Sequence, residues 1–209
     1  SGRLPVSWVT PGFTAALPME SMAMRPSADG SLPGRTHRFL DPSYVVYPFG
    51  HGLTYENWSF EWVLSPPFAP SPPSTSPPSS RIASSPYHMA APFPEVERSC
   101  NASFDVTLAP PASSASVSIL IFLRPPAGAD PLAPRRELVR FSRVAANVDT
   151  DGSRTTRVSL VLHPGDFELV DARGDAHFMG GTWSLDVGQP TVLTKPVVVR
   201  QVDGACSIA

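Results

Sequence analysis

Beyond Cys100, short runs of the chain alternate between apolar and polar residues. The runs "RTTRVSLVL" (154–162) and "TWSLDVG" (182–188) both place their apolar side chains at every second position. The positions expected to face a core are Thr156, Val158, Leu160 and Leu162 in the first run, and Trp183, Leu185 and Val187 in the second. Such a period of two, interrupted by Pro, Gly, Asp and Asn, is typical of antiparallel strands. Similar runs are "NASFDVTLA", "ASVSILIFL", "RELVRFSRV", "DFELVD" and "KPVVVRQV".

The predicted fold class is therefore mainly β, with an immunoglobulin-like sandwich of seven or eight strands. "WSFEWVL" (58–64) supplies its first strand. Proline and serine dominate residues 65–95, which are predicted to form a loop inserted between the first two strands, because proline lacks a backbone donor and fixes φ. The alternative is a wall-type segment that carries O-glycans or hydroxyproline.

Residues 1–56 have a different pattern, with short extended runs separated by Pro and Gly. "RLPVSWV" (3–9) and "SYVVYPF" (43–49) are predicted strands, and a loop between them contains Met19, Met22 and Met24, which are expected to serve as apolar filler. The periodicity predicts no helix of ten or more residues. We expect this segment to be poorly ordered by itself, because its apolar side chains lack a sheet to pack on.

Charge and hydropathy exclude several classes of partner. The net charge is −2, and no run of Lys or Arg is present, so nucleic acid is not an expected partner. No apolar run approaches the roughly 18–20 residues that span a bilayer, so no membrane partner is expected. No basic and apolar leader is visible, so these residues predict no signal peptide. The five histidines (37, 51, 88, 163 and 177) lack metal-ligand spacing, and we predict no metal or cofactor.

Two features indicate an oxidising, extracellular location. Cys100 and Cys206 flank most of the predicted sandwich and are candidates for a disulfide; the alternative is two unrelated free thiols. Asn57 and Asn101 each begin an N-x-S triplet and are candidate N-glycosylation sites. The expected location is secreted or in the cell wall.

The N-terminal motifs "GRLPVSW", "PMESMAMRP", "PGRTHRF" and "VYPFGHGLTY" resemble, in this order, the C-terminal half of family-3 glycoside hydrolases. The resemblance is to the plant-type β-xylosidase/α-arabinofuranosidase branch. Downstream, "PRRELVRFSRV", "RVSLVLHPGDFELVD" and "GTWSLDVG" are similar to the fibronectin type III-like domain that closes those enzymes.

This resemblance implies two regions. Residues 1–56 would be the C-terminal remnant of an α/β sandwich domain with its crossover, and residues 57–203 a fibronectin type III-like sandwich. Gly34, Gly50 and Gly52 would suit tight turns, and Tyr47, Phe49 and Tyr55 would pack at the domain junction.

The resemblance assigns no catalytic residue to this chain. A retaining glycosidase needs two carboxylates about 5–5.5 Å apart, and in the family both lie upstream of the matched motifs. Asp41 and Glu56 are interpreted as solvated or capping acids, and His163–Asp166 ("HPGD") as a turn. His37 and His51 are interpreted as surface or junction residues, with a ligand role as the alternative.

The expected function is that of a non-catalytic C-terminal part of such an enzyme. Its expected partner is the catalytic domains of the same polypeptide or a processed N-terminal fragment, with polysaccharide as a further candidate. The alternative is a stand-alone carbohydrate-binding or wall-structural module. Four tryptophans could stack on sugars, although strand phase favours core packing for the last two: Trp8, Trp58, Trp62 and Trp183.

Overall fold

A computed structural model describes residues 2–63, 99–110, 114–147, 154–201 and 205–208. The predicted insertion at 65–95 and His88 lie outside these residues. The strands are β1 Trp8–Val9, β2 Val45–Tyr47, β3 Trp58–Trp62, β4 Cys100–Leu108, β5 Ser114–Arg124, β6 Glu137–Asn147, β7 Thr155–Leu162, β8 Glu168–Val170, β9 Ala176–Phe178, β10 Gly181–Val187, β11 Leu193–Val199 and β12 Cys206–Ile208. The helices are α1 Pro11–Ala16 and α2 Thr36–Phe39, with 3-10 turns at Pro42–Tyr44 and Pro164–Phe167.

Two antiparallel sheets form a sandwich around one core. One sheet has the strand order β3-β4-β7, and the other has the order β12-β11-β10-β5-β6. The predicted mainly β fold class is therefore confirmed, with eight strands in the sandwich. The largest fully buried side chains of the core include Trp183, Phe104 and Phe167.

The alternating pattern determines which side chains enter this core. In β7, Val158, Leu160 and Leu162 are buried and their neighbours are exposed, as predicted. In β10, Trp183, Leu185 and Val187 are fully buried, again as predicted. The indole N–H of Trp183 donates to the carbonyl oxygen of Met179 at 3.0 Å, which satisfies a polar group that burial would otherwise leave unpaired.

Local elements differ from the sequence prediction in several places. The predicted strand at 3–9 is reduced to the two residues of β1. The run "DFELVD" forms β8, which pairs only with β9 in a separate two-stranded hairpin. The predicted strand at 43–49 is shortened because Pro42 starts a 3-10 turn, with the carboxylate of Asp41 accepting from the amide of Ser43 at 2.9 Å. A short helix, α1, begins at Pro11, since proline's fixed φ suits a first helical turn.

The N-terminal segment packs on the sandwich. Poor order was expected because its apolar side chains would lack a sheet to pack on, and that reason is wrong. Leu17, Phe39 and Leu40 are buried, and further side chains lie against the outer face of the five-stranded sheet. Two smaller expectations are also wrong. Met19 and Met22 are 91% and 87% exposed rather than filling a core, and Tyr55 is fully exposed rather than packed at the junction.

Candidate functional site

The N-terminal segment meets the sandwich at an aromatic cluster centred on Phe122 of β5. The flanking residues Ile121 and Leu123 belong to the sandwich core, so Phe122 faces the other way, yet it is fully buried. The Phe49 ring lies edge-on to it, and the His37 ring stacks on Phe49 with centroids 4.3 Å apart. We call His37, Phe49, Phe122 and Arg136 the junction cluster.

A cation completes the junction cluster. The guanidinium of Arg136 lies 4.4 Å from the centroid of the Phe122 ring, within the range of a cation–π interaction. It also donates to the side-chain oxygen of Gln189 at 2.7 Å, just after β10. The cluster therefore links both the N-terminal segment and the β10–β11 connection to the outer face of β5.

Arg3 makes a second connection through backbone carbonyls. Its guanidinium donates to the carbonyl oxygens of Ser118 at 3.1 Å and Gln189 at 2.7 Å. Gly50, beside it, has φ +81°, and a Cβ there would overlap the side chain of Leu120. Glycine is required at this position because the backbone both turns in the left-handed region and approaches β5 closely.

Helix α2 is held against β6 by charge. Arg38 forms an ion pair with Glu137, and its carbonyl oxygen accepts from the amide of Arg135 at 2.6 Å. Phe39 is buried with the guanidinium groups of Arg25 and Arg38 at 5.6 and 5.5 Å from its ring centroid. Arg25 also donates to the carbonyl oxygens of Val170 and Asp171, which brings the β8–β9 hairpin into the same junction.

The junction perturbs the ionisation of His37. Burial, followed by the positive charges of Arg136 and Arg38, lowers the pKa of His37 from 6.5 to about 4. The imidazole is therefore neutral near pH 7, which suits a ring stacked on phenylalanine between two guanidinium groups. This placement is that of a packing residue at the junction.

The N-terminal segment also exposes apolar side chains. Trp8 and Leu53 are 55% and 83% exposed, and Trp8 lies edge-on to Tyr47 with centroids 5.8 Å apart. Together with Leu4 and His51 they line an open groove of about 680 Å³. We call this surface the apolar face. A contiguous apolar patch of this kind is typical of an interaction surface.

The acidic side chains near the junction are already engaged. A polar cleft of about 440 Å³ between α2 and β6 contains Glu137, paired with Arg38, and Asp166. Arg140 binds the Asp166 carboxylate through two hydrogen bonds of 3.0 and 2.7 Å. These pairings compensate the charge of both carboxylates.

The predicted turn His163–Asp166 is observed at the start of the 3-10 turn between β7 and β8. The imidazole Nδ1 of His163 lies 3.1 Å from the hydroxyl of Ser99. The carboxylate of Asp166, however, accepts from the backbone amide of His163 at 2.7 Å and not from its ring. Within the described ranges no three His, Cys, Asp or Glu side chains group as metal ligands. No helix in that part of the chain is long and apolar enough to cross a membrane.

The candidate covalent sites lie on the sandwich. The structure joins Cys100 of β4 to Cys206 of β12, with Cα atoms 5.8 Å apart, so the pair connects the two sheets. Asn57 and Asn101 are both exposed. Among the tryptophans, Trp183 is in the core and Trp62 packs edge-on against Phe104 with centroids 5.7 Å apart. Trp58 is also partly buried against the core, which leaves Trp8 as the exposed one of the four.

The fold is similar to parts of solved glycoside hydrolases. The structure is similar over its full length to a family-3 glycoside hydrolase, the exo-β-xylosidase XlnD solved with a xylobiose aziridine probe, with a TM-score of 0.67 and 17% identity; it covers 25% of that chain. It is also similar to a β-glucosidase from Kluyveromyces marxianus, with a TM-score of 0.54, 15% identity, and coverage of 83% of this chain and 17% of the other.

Sequence comparison identifies homologues among plant and fungal β-xylosidases. The chain is 28% identical over 192 residues to β-xylosidase/α-L-arabinofuranosidase 2 of Medicago sativa subsp. varia, which covers 90% of this chain and 23% of the relative. It is 29% identical over 210 residues to a probable exo-1,4-β-xylosidase of Aspergillus clavatus, covering 96% and 24%. A stretch of 65 residues, 31% of this chain and 8% of the relative, is 45% identical to β-D-xylosidase 1 of Arabidopsis thaliana.

No protein-family model matches the chain. The chain is nevertheless a relative of the family-3 glycoside hydrolases, as its motifs predict. It spans about a quarter of the length of the Medicago and Aspergillus relatives.

Sequence reasoning missed the partners that hold the N-terminal segment, namely Arg3, Phe122 and Arg136. One signal was present. "ILIFL" (119–123) is an unbroken apolar run, and such a run is typical of a strand that is covered on both faces.

Proposed function

We propose that this chain is the C-terminal, non-catalytic part of a secreted, β-xylosidase-like family-3 glycoside hydrolase. In this proposal the sandwich holds the N-terminal segment in place, and the segment binds the catalytic domains of the same polypeptide or of a processed N-terminal fragment. Exo-hydrolysis of terminal xylosyl or arabinosyl residues would belong to the complete protein, outside the cell or in its wall.

One observation carries this proposal: the N-terminal segment is both anchored to the sandwich and apolar at its surface. It is fixed to β5 by the junction cluster and by Arg3, which also lines the groove of the apolar face. On the apolar face, Trp8 and Leu53 are more than half exposed. A segment that is anchored to the sandwich and still exposes apolar side chains is suited to connect the sandwich to a further domain.

The proposal is tested on protein purified from its natural source, by native mass measurement and by hydrolysis of aryl-xyloside and aryl-glucoside. We expect the 209 residues to occur with a larger catalytic part, either in one polypeptide or as a complex, and that assembly to hydrolyse the xyloside. A chain that runs alone and is inert would contradict the proposal.

The apolar face provides a sharper test. In a complex reconstituted from this chain and the remaining polypeptide of a matched relative, Trp8→Ser should weaken association. The control is Phe141→Ser, because Phe141 of β6 is also an exposed aromatic residue, at 78%, but lies on the sandwich. Equal loss with both variants would argue against a specific role of the apolar face.

A second candidate function, carbohydrate binding by the isolated chain, has one supporting observation. Trp8 and Tyr47 place aromatic rings in an open groove together with the imidazole of His51. Retardation of the isolated chain in xylan-containing native gels, abolished by Trp8→Ala, would favour this function. Unchanged mobility in xylan would leave the first proposal as the better one.

A further inference from the structure

The three-stranded sheet turns a polar face to solvent, and both N-x-S triplets lie on it. We infer that Asn57 and Asn101 are both N-glycosylated and that this surface is the glycan-bearing face of the molecule. We call it the outer β3-β4-β7 face. The inference rests on the secretion included in the proposed function, but it does not depend on the docking of any other domain.

The first triplet is exposed at the end of the strand ladder, which extends to Asn57. The carbonyl oxygen of Asn57 accepts from the amide of Ala109 at 2.9 Å, one residue before β3 begins. Alternate residues of a strand point to opposite sides. Asn57 and Ser59 are accordingly both exposed, whereas Trp58 between them is partly buried against the core.

The second triplet repeats this arrangement inside β4. Asn101 is exposed, and its neighbours Cys100 and Ala102 are each only 4% exposed on the core side. The hydroxyl of Ser103, on the outward side, lies 3.3 Å from the hydroxyl of Ser159 on β7. A sugar on Asn101 would therefore extend away from the core.

The surroundings of the two asparagines favour a solvated sugar over a protein partner. Cross-strand polar pairs follow this face, including Thr107 with Thr155 at 2.8 Å and Asp105 with Arg157 at 2.9 Å. Val161, at 40% exposure, is the large apolar side chain that β7 adds to it. The outer face of the other sheet, by contrast, buries Phe122 under the N-terminal segment. Glycans on the outer β3-β4-β7 face would leave that junction free.

The modification is a group transfer from a lipid-pyrophosphate-linked oligosaccharide. A bond forms between the side-chain amide nitrogen of asparagine and the anomeric carbon of the first sugar. The bond between that carbon and the pyrophosphate oxygen breaks, the lipid pyrophosphate leaves, and the amide nitrogen loses one proton. Neither an oxidant nor a reductant is required.

The test uses the full chain, secreted from yeast behind a cleavable leader, with both the medium and the lumenal fraction analysed. Peptide-N-glycosidase F converts each glycosylated asparagine to aspartate, which peptide mass measurement locates. We expect conversion at both Asn57 and Asn101. Ser59→Ala and Ser103→Ala should each abolish one conversion, whereas Ser59→Thr and Ser103→Thr should retain it, because threonine also completes the acceptor triplet.

An asparagine that remains unconverted at either position, in both fractions, overturns the inference. Failure of the proposed function would give a different result. Both sites would then carry glycans while the chain neither associated with a catalytic partner nor occurred in the same polypeptide.

Discussion

The ring of Phe49 meets the ring of Phe122 edge-on, with centroids 6.3 Å apart and an interplanar angle of 82°. The two residues are 73 positions apart in the chain, so this contact joins the N-terminal segment to β5 of the five-stranded sheet. An edge-to-face pair of this kind stabilises beyond the area that it buries. The contact between Phe49 and Phe122 explains how a segment with few strands of its own is held against the sandwich.

Phe122→Ala should destabilise the protein strongly. Phe122 is fully buried, and removing such a ring costs about 3–5 kcal/mol of unfolding free energy. Urea denaturation followed by tryptophan fluorescence measures the change. Phe141→Ala is the control, since its side chain is 78% exposed, and we expect its effect to stay within about 0.5 kcal/mol. Comparable losses in the two variants would show that the junction contributes little.

Phe49→Ala should act more locally than Phe122→Ala. The ring belongs to the N-terminal segment, so its removal loosens the segment and leaves the sandwich core intact. We expect faster tryptic cleavage after Arg35 and Arg38, with the sandwich remaining as a protected product. Cleavage at the parental rate would indicate that other contacts, such as those of Arg3, suffice to hold the segment.

Acid should weaken the junction through His37. Its pKa is lowered from 6.5 to about 4, mainly by burial and then by Arg136 and Arg38. Between these pH values the unfolded chain binds the proton and the folded chain does not, so stability is complete above pH 6.5 and is lost progressively as the pH falls toward 4. Glu137 and Asp166 also line the cleft beside His37 and are paired with Arg38 and Arg140.

His37→Phe is the matched variant, because it keeps an aromatic ring on Phe49 and removes the titrating group. Melting temperatures are measured for both proteins from pH 7.5 to 4. Carboxylates titrate in both proteins, so the informative quantity is the difference between the two curves. We expect the variant to lose less stability toward acid. Parallel curves would mean that protonation of His37 does not affect the stability of the protein.

Two Arg–Asp pairs on the sandwich offer a comparison of burial. Asp186 is 4% exposed and accepts from Arg124 at 2.6 and 3.0 Å and from the hydroxyl of Thr194 at 2.8 Å. Asp105 has a similar two-bond pairing with Arg157, but on the solvent face.

Asp186→Asn should therefore cost about 1.5–3 kcal/mol, since charge-assisted hydrogen bonds to a buried group are lost. Arg124 keeps part of its hydration because its side chain is 47% exposed, which favours the lower end of this range. Asp105→Asn should change the urea midpoint little, because that pair is exposed. Equal effects would contradict the importance of burial at Asp186.

The bridge between Cys100 and Cys206 should be detectable and stabilising. Unreduced protein should be lighter than reduced protein by the mass of two hydrogen atoms. The cysteines are separated by 106 positions, so closing the loop should contribute about 4–5 kcal/mol on the chain-entropy model. Reductant should lower the melting temperature of the parent and leave that of Cys206→Ser unchanged. Two thiols that react with alkylating agent in the native, unreduced protein would disprove the bridge.

The strands of the sandwich could be predicted because their apolar side chains occur at every second residue. In β7 and β10 the alternation correctly identified six buried positions, namely Val158, Leu160, Leu162, Trp183, Leu185 and Val187. Thr156, also predicted to face the core, is only half-buried, and Asp186 is buried although the alternation does not predict it. The position of the N-terminal segment could not be predicted in this way. It depends on contacts such as Arg3 with the carbonyl of Gln189, 186 positions away, and no local period encodes a guanidinium that binds distant backbone oxygens. The exposure of Met19 and Met22 likewise depends on which surfaces meet.

The two-sided burial of β5 has a practical consequence for anyone dividing this polypeptide. A truncated protein that begins at residue 57 follows the motif boundary but lacks the N-terminal segment that packs on Phe122. The truncated sandwich would therefore expose the Phe122 ring to water. The outer face of β5 would then be apolar and exposed, so self-association during expression is expected. The smallest unit worth producing therefore begins upstream of Arg3, so that the N-terminal segment still covers β5.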